Sequence, residues 1–430
     1  MEGYHPELVH TLRTIPDMDK IISKLKGMNS NSAVVIGGGF IGIELAENLH
    51  LRGIKTELVE FSDQVMMPFD KEMANIIHRE LKTKGITLHL NDSVKLIKEL
   101  PEKIIQVELV SGKIIKTGII ISAVGVRPES DLAKDAGLKL NSKEAIVVNE
   151  FMQTTNPHIY AVGDAIEVTQ FIDGTDSLLP LAGPAAKQAR IAANHIAGIH
   201  TNDGRIQGTA IVKIFDLTAA STGLNEKYLK KTKIPYQVLY LHPFDHVDYY
   251  PGAHQMTLKV IYNKENETLL GAQAIGESGV DKRIDVLATA IRGKMKITDL
   301  QELELCYAPP FGSSKDAINM AGFMADNIKN KLVKFLSPSE INKYPDALII
   351  DVRTKGEYER GNIKGSQNIP LGELRKRLQE IPRDKTLIVH CGVGIRSYNA
   401  IRILASEGFQ NIFNLSGGFK SYINEFQNNS

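Results

Sequence analysis

Val34-Val35-Ile36-Gly37-Gly38-Gly39-Phe40-Ile41-Gly42-Ile43-Glu44 passes from an apolar run through a G-x-G-x-x-G turn into a helical pattern. Strand, glycine turn and helix in that order form a dinucleotide-binding fingerprint. Gly37 permits the tight turn, Gly39 lets backbone approach a pyrophosphate, and Gly42 lets the helix pack on the strand. The amides at the helix start then face the phosphates. Ile43, Leu45, Ala46 and Leu49 give the helix its apolar stripe. A second strand, Thr56 to Glu60, ends in an acid 18 residues after Gly42. A carboxylate there accepts hydrogen bonds from a ribose and repels a 2′-phosphate, which favours NADH over NADPH. Gly37, Gly39, Ile41, Gly42, Glu44 and Glu60 are the candidate cofactor-binding residues of this unit.

Working outward, residues 1–30 form a lead-in. Val9 to Thr14 suits a short strand, and Asp17 is placed to cap a helix through Ile21, Ile22 and Leu25. Residues 31–150 continue the nucleotide unit. Met73, Ile76, Ile77 and Leu81 suit a helix and Ile86 to Leu90 a strand. Ile104–Leu109 and Lys113–Lys116 suit a hairpin around Ser111-Gly112. The run Ile119 to Val124 ends in Gly125, where a ligand can approach a sheet edge. Within residues 151–204, Tyr160-Ala161-Val162 reads as a strand entering Gly163-Asp164. Asp164 at such a strand end is placed to bind a polyol, although a Gly-Asp turn by itself is more often structural.

Composition narrows the field. At 430 residues the chain has room for roughly three domains. Formal net charge is +1 with no basic stripe, so nucleic acid is not an expected partner. No apolar run approaches the roughly 20 residues of a membrane span. The polar start Met1-Glu2-Gly3-Tyr4-His5 lacks the apolar core of a secretory signal. Two cysteines, Cys306 and Cys391, exclude a disulfide framework and fit a reducing cytoplasm. No residue pattern calls for a metal.

Farther along, three strand patterns (Gly208–Phe215, Met256–Tyr262, Leu269–Gly276) precede a helix over Asp281–Ile291. His246-Val247-Asp248-Tyr249-Tyr250-Pro251 and Cys306-Tyr307-Ala308-Pro309 each set tyrosine near proline. Tyrosine donates a proton with a pKa of about 10 or packs with its hydroxyl satisfied; the residues alone favour packing. Cys306 reads as a small buried thiol. From Ser337 the pattern restarts, with a helix start, then the strand Ala347–Arg353. The strand Lys385–His390 delivers Cys391-Gly392-Val393-Gly394-Ile395-Arg396. Loop amides converging on the sulfur and Arg396 nearby favour a thiolate, and the same cradle suits an anionic persulfide.

Two resemblances follow from these residues. Gly37–Gly42 together with Tyr160-Ala161-Val162-Gly163-Asp164 resembles the two-dinucleotide-fold flavoprotein disulfide reductases. The stretch from Asp351-Val352-Arg353 through Glu357-Tyr358, Asn368-Ile369-Pro370, Cys391–Arg396 and Leu415–Gly418 resembles a rhodanese domain. The six-residue loop has the length rhodaneses use for sulfur. Tyr249 and Tyr307, with Lys315-Asp316, resemble the coenzyme A-disulfide reductases, where a tyrosine pair serves near the redox cysteine. Tyr250 is the alternative to Tyr249.

The resemblance implies FAD and NADH or NADPH as cofactors, with Asp164 on the ribityl chain and the helix starting at Ala182 aimed at the flavin. It implies coenzyme A disulfide, coenzyme A persulfide or polysulfide as substrate, sulfane sulfur donors for Cys391, and a homodimer. It also places the first FAD motif and the redox cysteine upstream of Met1, so an incomplete flavin site is expected. The alternatives are an NADH oxidase or peroxidase, or a sulfurtransferase alone. The expected architecture is therefore α/β: a two-dinucleotide-binding-fold reductase lacking its first FAD segment, an α+β dimerisation domain over 205–327 and an α/β rhodanese domain over 336–430. Residues 1–30 are expected to belong to a partial FAD domain, 31–150 to bind NAD(P)H, and 151–204 to supply the second FAD segment.

Overall fold

The computed structural model describes residues 2–199 and 204–426. The ends of the expected spans 151–204 and 336–430, at residues 200–203 and 427–430, lie outside the described residues. The glycine turn sits in a five-stranded parallel sheet ordered Val9–Thr11, Ile119–Ser122, Ser32–Ile36, Lys55–Val59, Thr87–His89. The strand residues alternate between two buried faces. Ala33, Val35, Leu58, Ile119 and Ile121 meet Ile43, Ala46, Ile77 and Leu81 of the helices on one side. Val34, Ile36, Val59 and Ile120 meet Ile105, Val107 and Leu109 on the other. Those last three belong to an antiparallel sheet of Val94–Leu100, Ile104–Leu109 and Ile114–Thr117. Each valine, leucine and isoleucine among them contributes about 1.5–3 kcal/mol by leaving water. The lead-in shares this sheet, because Val9–Thr11 pairs with Ile120–Ser122.

Local expectations are corrected at three points. Thr14, not Asp17, caps the Ile15–Gly27 helix. Asp17 lies at the third helical position, where its carboxylate accepts from the amides of Thr14 at 3.0 Å and Arg13 at 3.2 Å. The Val94–Leu100 strand escaped the sequence pattern because a bulge between Val94 and Leu96 breaks its alternation. Tyr160-Ala161-Val162 is not a sheet strand. Tyr160 makes one isolated bridge to Gln153, and Ala161 donates its amide to Met152 O at 3.0 Å.

A second five-stranded sheet is antiparallel throughout, ordered Ala210–Ile214, Leu217–Gly223, Leu269–Gly276, Thr257–Asn263, Tyr236–Leu241. The helices Val280–Arg292 and Ala317–Lys329 share its apolar core. The last sheet is parallel, ordered Phe335–Leu336, Ile412–Leu415, Leu387–His390, Leu348–Asp351, Gln367–Asn368. No helix among the described residues is long and apolar enough to cross a membrane.

The three units are joined by buried polar groups. The Lys259 ammonium, with no side-chain exposure, lies 2.8 Å from Asp70, 2.5 Å from Glu72 and 2.7 Å from Glu226. Burial opposes the Glu226 charge, yet Lys259 holds that carboxyl at about 2. Tyr240 donates its hydroxyl to Glu72 at 2.8 Å and its amide to Ser416 Oγ at 3.1 Å. His242 Nε2 lies 2.8 Å from Ser421 Oγ, and Asn75 Nδ2 donates to Asn424 O at 2.8 Å. Removing one partner of such a buried cluster costs about 3–5 kcal/mol, because the remaining charge is left uncompensated.

Candidate functional site

The glycine turn has the geometry its spacing implies. Gly37 has φ +107, and a Cβ there would stand 2.3 Å from Ala123 O. A Cβ on Gly42 would stand 1.9 Å from Gly37 O, so the helix touches the turn only because Gly42 lacks a side chain. A Cβ on Gly39 meets nothing within 4 Å, leaving open space over the start of the Phe40–Leu51 helix. A dinucleotide pyrophosphate fits that space. Glu60 is fixed at the strand end beside it. Its Oε2 accepts from the Gly38 amide at 2.7 Å and its Oε1 from the Ser62 amide at 2.8 Å. Phe61 to Met66 includes no lysine or arginine to receive a 2′-phosphate. Ile41 and Glu44 line a groove against the Ile15–Gly27 helix, together with Met18 and Ile22. Gly125 has φ +100 and open space around it.

Asp164 is exposed on the Gly163–Ala165 turn, and Gln188 Oε1 accepts the Gly163 amide at 2.7 Å. Ala182 and Gly183 begin the Ala182–Ile196 helix, exposed and without a side-chain cap. Phe40 meets Leu181, Ala182 and Gly183 around a cavity of about 370 Å³. The Phe40–Leu51 helix and the Ala182–Ile196 helix thus begin at one shared space. Uncapped amides at a helix start suit a ligand that carries negative charge.

Tyr249 and Tyr307 are brought together. The neighbouring Tyr307 hydroxyl raises Tyr249 above the usual tyrosine value. Both remain accessible, at 72% and 46% exposure. Tyr250 instead turns edge-on to His246, with centroids 5.8 Å apart. The two tyrosine loops are tied by Val247 N donating to Gly312 O at 3.0 Å. Beneath them Arg283 is buried against Asp316 at 2.7 Å and donates to Asp245 O at 2.8 Å. Cys306 is exposed, contrary to the buried thiol expected. Its segment carries no helix or strand that would turn the side chain inward, and Lys282 Nζ donates to the Cys306 carbonyl from the side.

Cys391 follows the Leu387–His390 strand and is only 1% exposed. One loop amide, that of Gly394, reaches its Sγ, at 3.1 Å, where several were expected. Gly394 makes this possible with φ +107. Ser397 Oγ lies 3.6 Å from the sulfur and 2.7 Å from Asn414 Oδ1. The other face of the loop is held by carbonyls, with Phe419 N donating to Cys391 O at 2.8 Å and Lys420 N to Gly392 O at 3.0 Å. A Cβ on Gly418 would stand 2.5 Å from Cys391 O, so this close backing requires glycine. Arg396 is not a free cation beside the sulfur. It forks onto Glu357, at 2.7 and 2.6 Å. That bond raises Arg396, with the Cys391 sulfur adding to it, and holds Glu357 down at about 2. Neither the Glu357 clamp nor Ser397 was singled out as a site residue from the sequence; Glu357 alone gave a signal, through the Thr354-x-x-Glu357 capping box.

The fold and these sites together define a disulfide-reductase body carrying a sulfur-transfer unit. Residues 1–190 match the pyridine nucleotide-disulphide oxidoreductase family, 209–317 the dimerisation domain of that family, and 337–425 the rhodanese-like domain. The chain belongs to the pyridine nucleotide-disulphide oxidoreductases and is an enzyme of the coenzyme A disulfide reductase-like branch with a C-terminal rhodanese domain. It is 45% identical to the reduced CoADR-RHD of Bacillus anthracis, with a TM-score of 0.93 over 97% of this chain and 75% of that one. It is 36% identical to the NAD-dependent persulfide reductase from A. fulgidus, with a TM-score of 0.90 over 98% and 77%. The coenzyme A disulfide reductase of Staphylococcus haemolyticus is 35% identical over 330 residues, 76% of this chain and 73% of the relative.

Proposed function

We propose that this enzyme passes electrons from NADH to the S–S bond of coenzyme A persulfide, coenzyme A disulfide or polysulfide, and that Cys391 carries sulfane sulfur in the same chain. The reading is supported by the names of the relatives, a persulfide reductase and coenzyme A disulfide reductases among them. The observation that carries the sulfur half is the Cys391 loop, where a turned-in amide 3.1 Å from the sulfur offers a hydrogen bond to a thiolate or persulfide.

The open turn at Gly37–Gly42, with Glu60 and Gly125, would hold NADH. Asp164 and the Ala182 helix start would hold FAD, whose chemistry is to accept a hydride and release two electrons to sulfur. Tyr249 and Tyr307 stand side by side and are exposed enough for a hydroxyl to hand a proton to a leaving thiolate. The dimerisation-domain match supports a homodimer, and the two unpaired cysteines fit a reducing cytoplasm.

Intact-protein and peptide mass spectrometry after a sulfane donor tests the carrier role. The added sulfur is expected on Cys391 and is lost in Cys391→Ser. Sulfur found on the exposed Cys306 in both proteins would defeat the proposal.

A further inference from the structure

A cavity of about 220 Å³ lies between the rhodanese unit and the dimerisation domain. One wall is the Cys391 loop itself, through Val393, Gly394 and Ile395. The opposite wall is Met320, Phe323 and Met324 of the Ala317–Lys329 helix. Among all the lining residues none is Asp, Glu, Lys or Arg. The single histidine, His242, is held down at about 3 by burial and is neutral. Gly394 belongs to both places: it lines the cavity, and its amide donates to Cys391 Sγ at 3.1 Å. The volume is below the roughly 300–1,000 Å³ of a site for a whole drug-sized ligand, so it suits one arm of a molecule.

We propose that this cavity seats the uncharged, apolar organic arm of the sulfane donor that charges Cys391. The inference rests on the reading of Cys391 as a sulfur carrier. In the step, the Cys391 thiolate attacks the sulfane sulfur of the donor. A new S–S bond forms on Cys391, the donor's own bond to that sulfur breaks, and the departing group leaves with the electron pair. No external oxidant or reductant is consumed. An apolar wall stabilises a donor arm by excluding water from it. A compact dianion such as thiosulfate gains nothing there and loses hydration. The cavity therefore acts as a specificity element.

The experiment compares benzenethiosulfonate with thiosulfate as donors and cyanide as acceptor, reading thiocyanate formation by the full chain. The two donors share the sulfane chemistry, and the first adds an apolar ring. Because their leaving groups differ, the deciding quantity is how variants change the ratio of the two kcat/KM values. Phe323→Gln, and separately Met324→Gln, is expected to lower that ratio by about tenfold through a higher KM for benzenethiosulfonate. A ratio that stays constant in both variants overturns the cavity proposal. Cys391→Ser run in parallel keeps the two ideas apart. If it retains thiocyanate formation from both donors, the carrier reading fails, whereas a dead Cys391→Ser with an unmoved ratio sinks the cavity alone.

Discussion

Arg396 and Glu357, 39 residues apart in the chain, are joined by two parallel hydrogen bonds of 2.6 and 2.7 Å. This fork orients the guanidinium at the edge of the sulfur loop, and its planar geometry gives a direction that a lysine would not.

Glu357→Gln breaks the charge-assisted half of that clamp. Sulfur transfer by Cys391 is expected to fall by about tenfold while thermal stability stays near that of the parent, because the pair is partly exposed. Thiocyanate kinetics alongside a thermal melt provide the check. Glu357 is held at about 2, below its usual 4.5. The stability contributed by the clamp is thus present above pH 4.5 and lost as pH falls toward 2. A pH profile of transfer between 5 and 8 should show no step from Glu357.

Tyr249→Phe and Tyr307→Phe each remove one hydroxyl of two neighbouring tyrosines. Each is expected to lower kcat for NADH-dependent coenzyme A disulfide reduction by about 10–100-fold. Because the two act as one unit, the double variant should lose little more than the worse single one. Steady-state kinetics of the three proteins would show strict additivity if the pair is merely two separate surface tyrosines.

Glu60→Ala removes the fixed carboxylate beside Gly38. Binding of NADH should weaken and that of NADPH strengthen, so that the ratio of the two dissociation constants shifts by about tenfold or more. Titration of nicotinamide fluorescence with each cofactor measures this. An unshifted ratio would remove Glu60 from the discrimination.

Glu425 lies on the Gly418–Phe426 helix, where burial first, and then Glu72 and Glu226, raise its carboxyl from 4.5 to about 7. The native protein keeps a proton that the unfolded chain gives up, so stability falls as pH rises through that window. Glu425→Gln is expected to gain about 1–3 kcal/mol at pH 8 and almost nothing at pH 5. Denaturant unfolding at both pH values decides it; an equal gain at both would mean that packing, not titration, is responsible.

What could be read from sequence was whatever depends on neighbours along the chain. Gly37, Gly39 and Gly42 declare their turn because a φ of +107 and an approach of 1.9 Å admit no side chain. The strand before Cys391 and the helix after it follow from local pattern for the same reason. The Lys259 cluster was invisible, since Asp70, Glu72 and Glu226 reach it from far-off segments and each alone looks like an ordinary surface acid. Cys306 was misjudged because composition says cysteines are buried, while its exposure depends on how the segment before Tyr307 lies against Lys282. Tyr249 and Tyr307 were paired only through family resemblance, as their contact is a tertiary event.

The seam at Tyr240, His242 and Asn75 makes the rhodanese unit keyed to its body instead of hung from it like a bead on a string. Another chain's rhodanese spliced after Leu336 would present this seam with the wrong counterparts to Ser416, Ser421 and Asn424. The two halves are not interchangeable cassettes. Engineering that swaps the sulfur unit must carry its seat along with it.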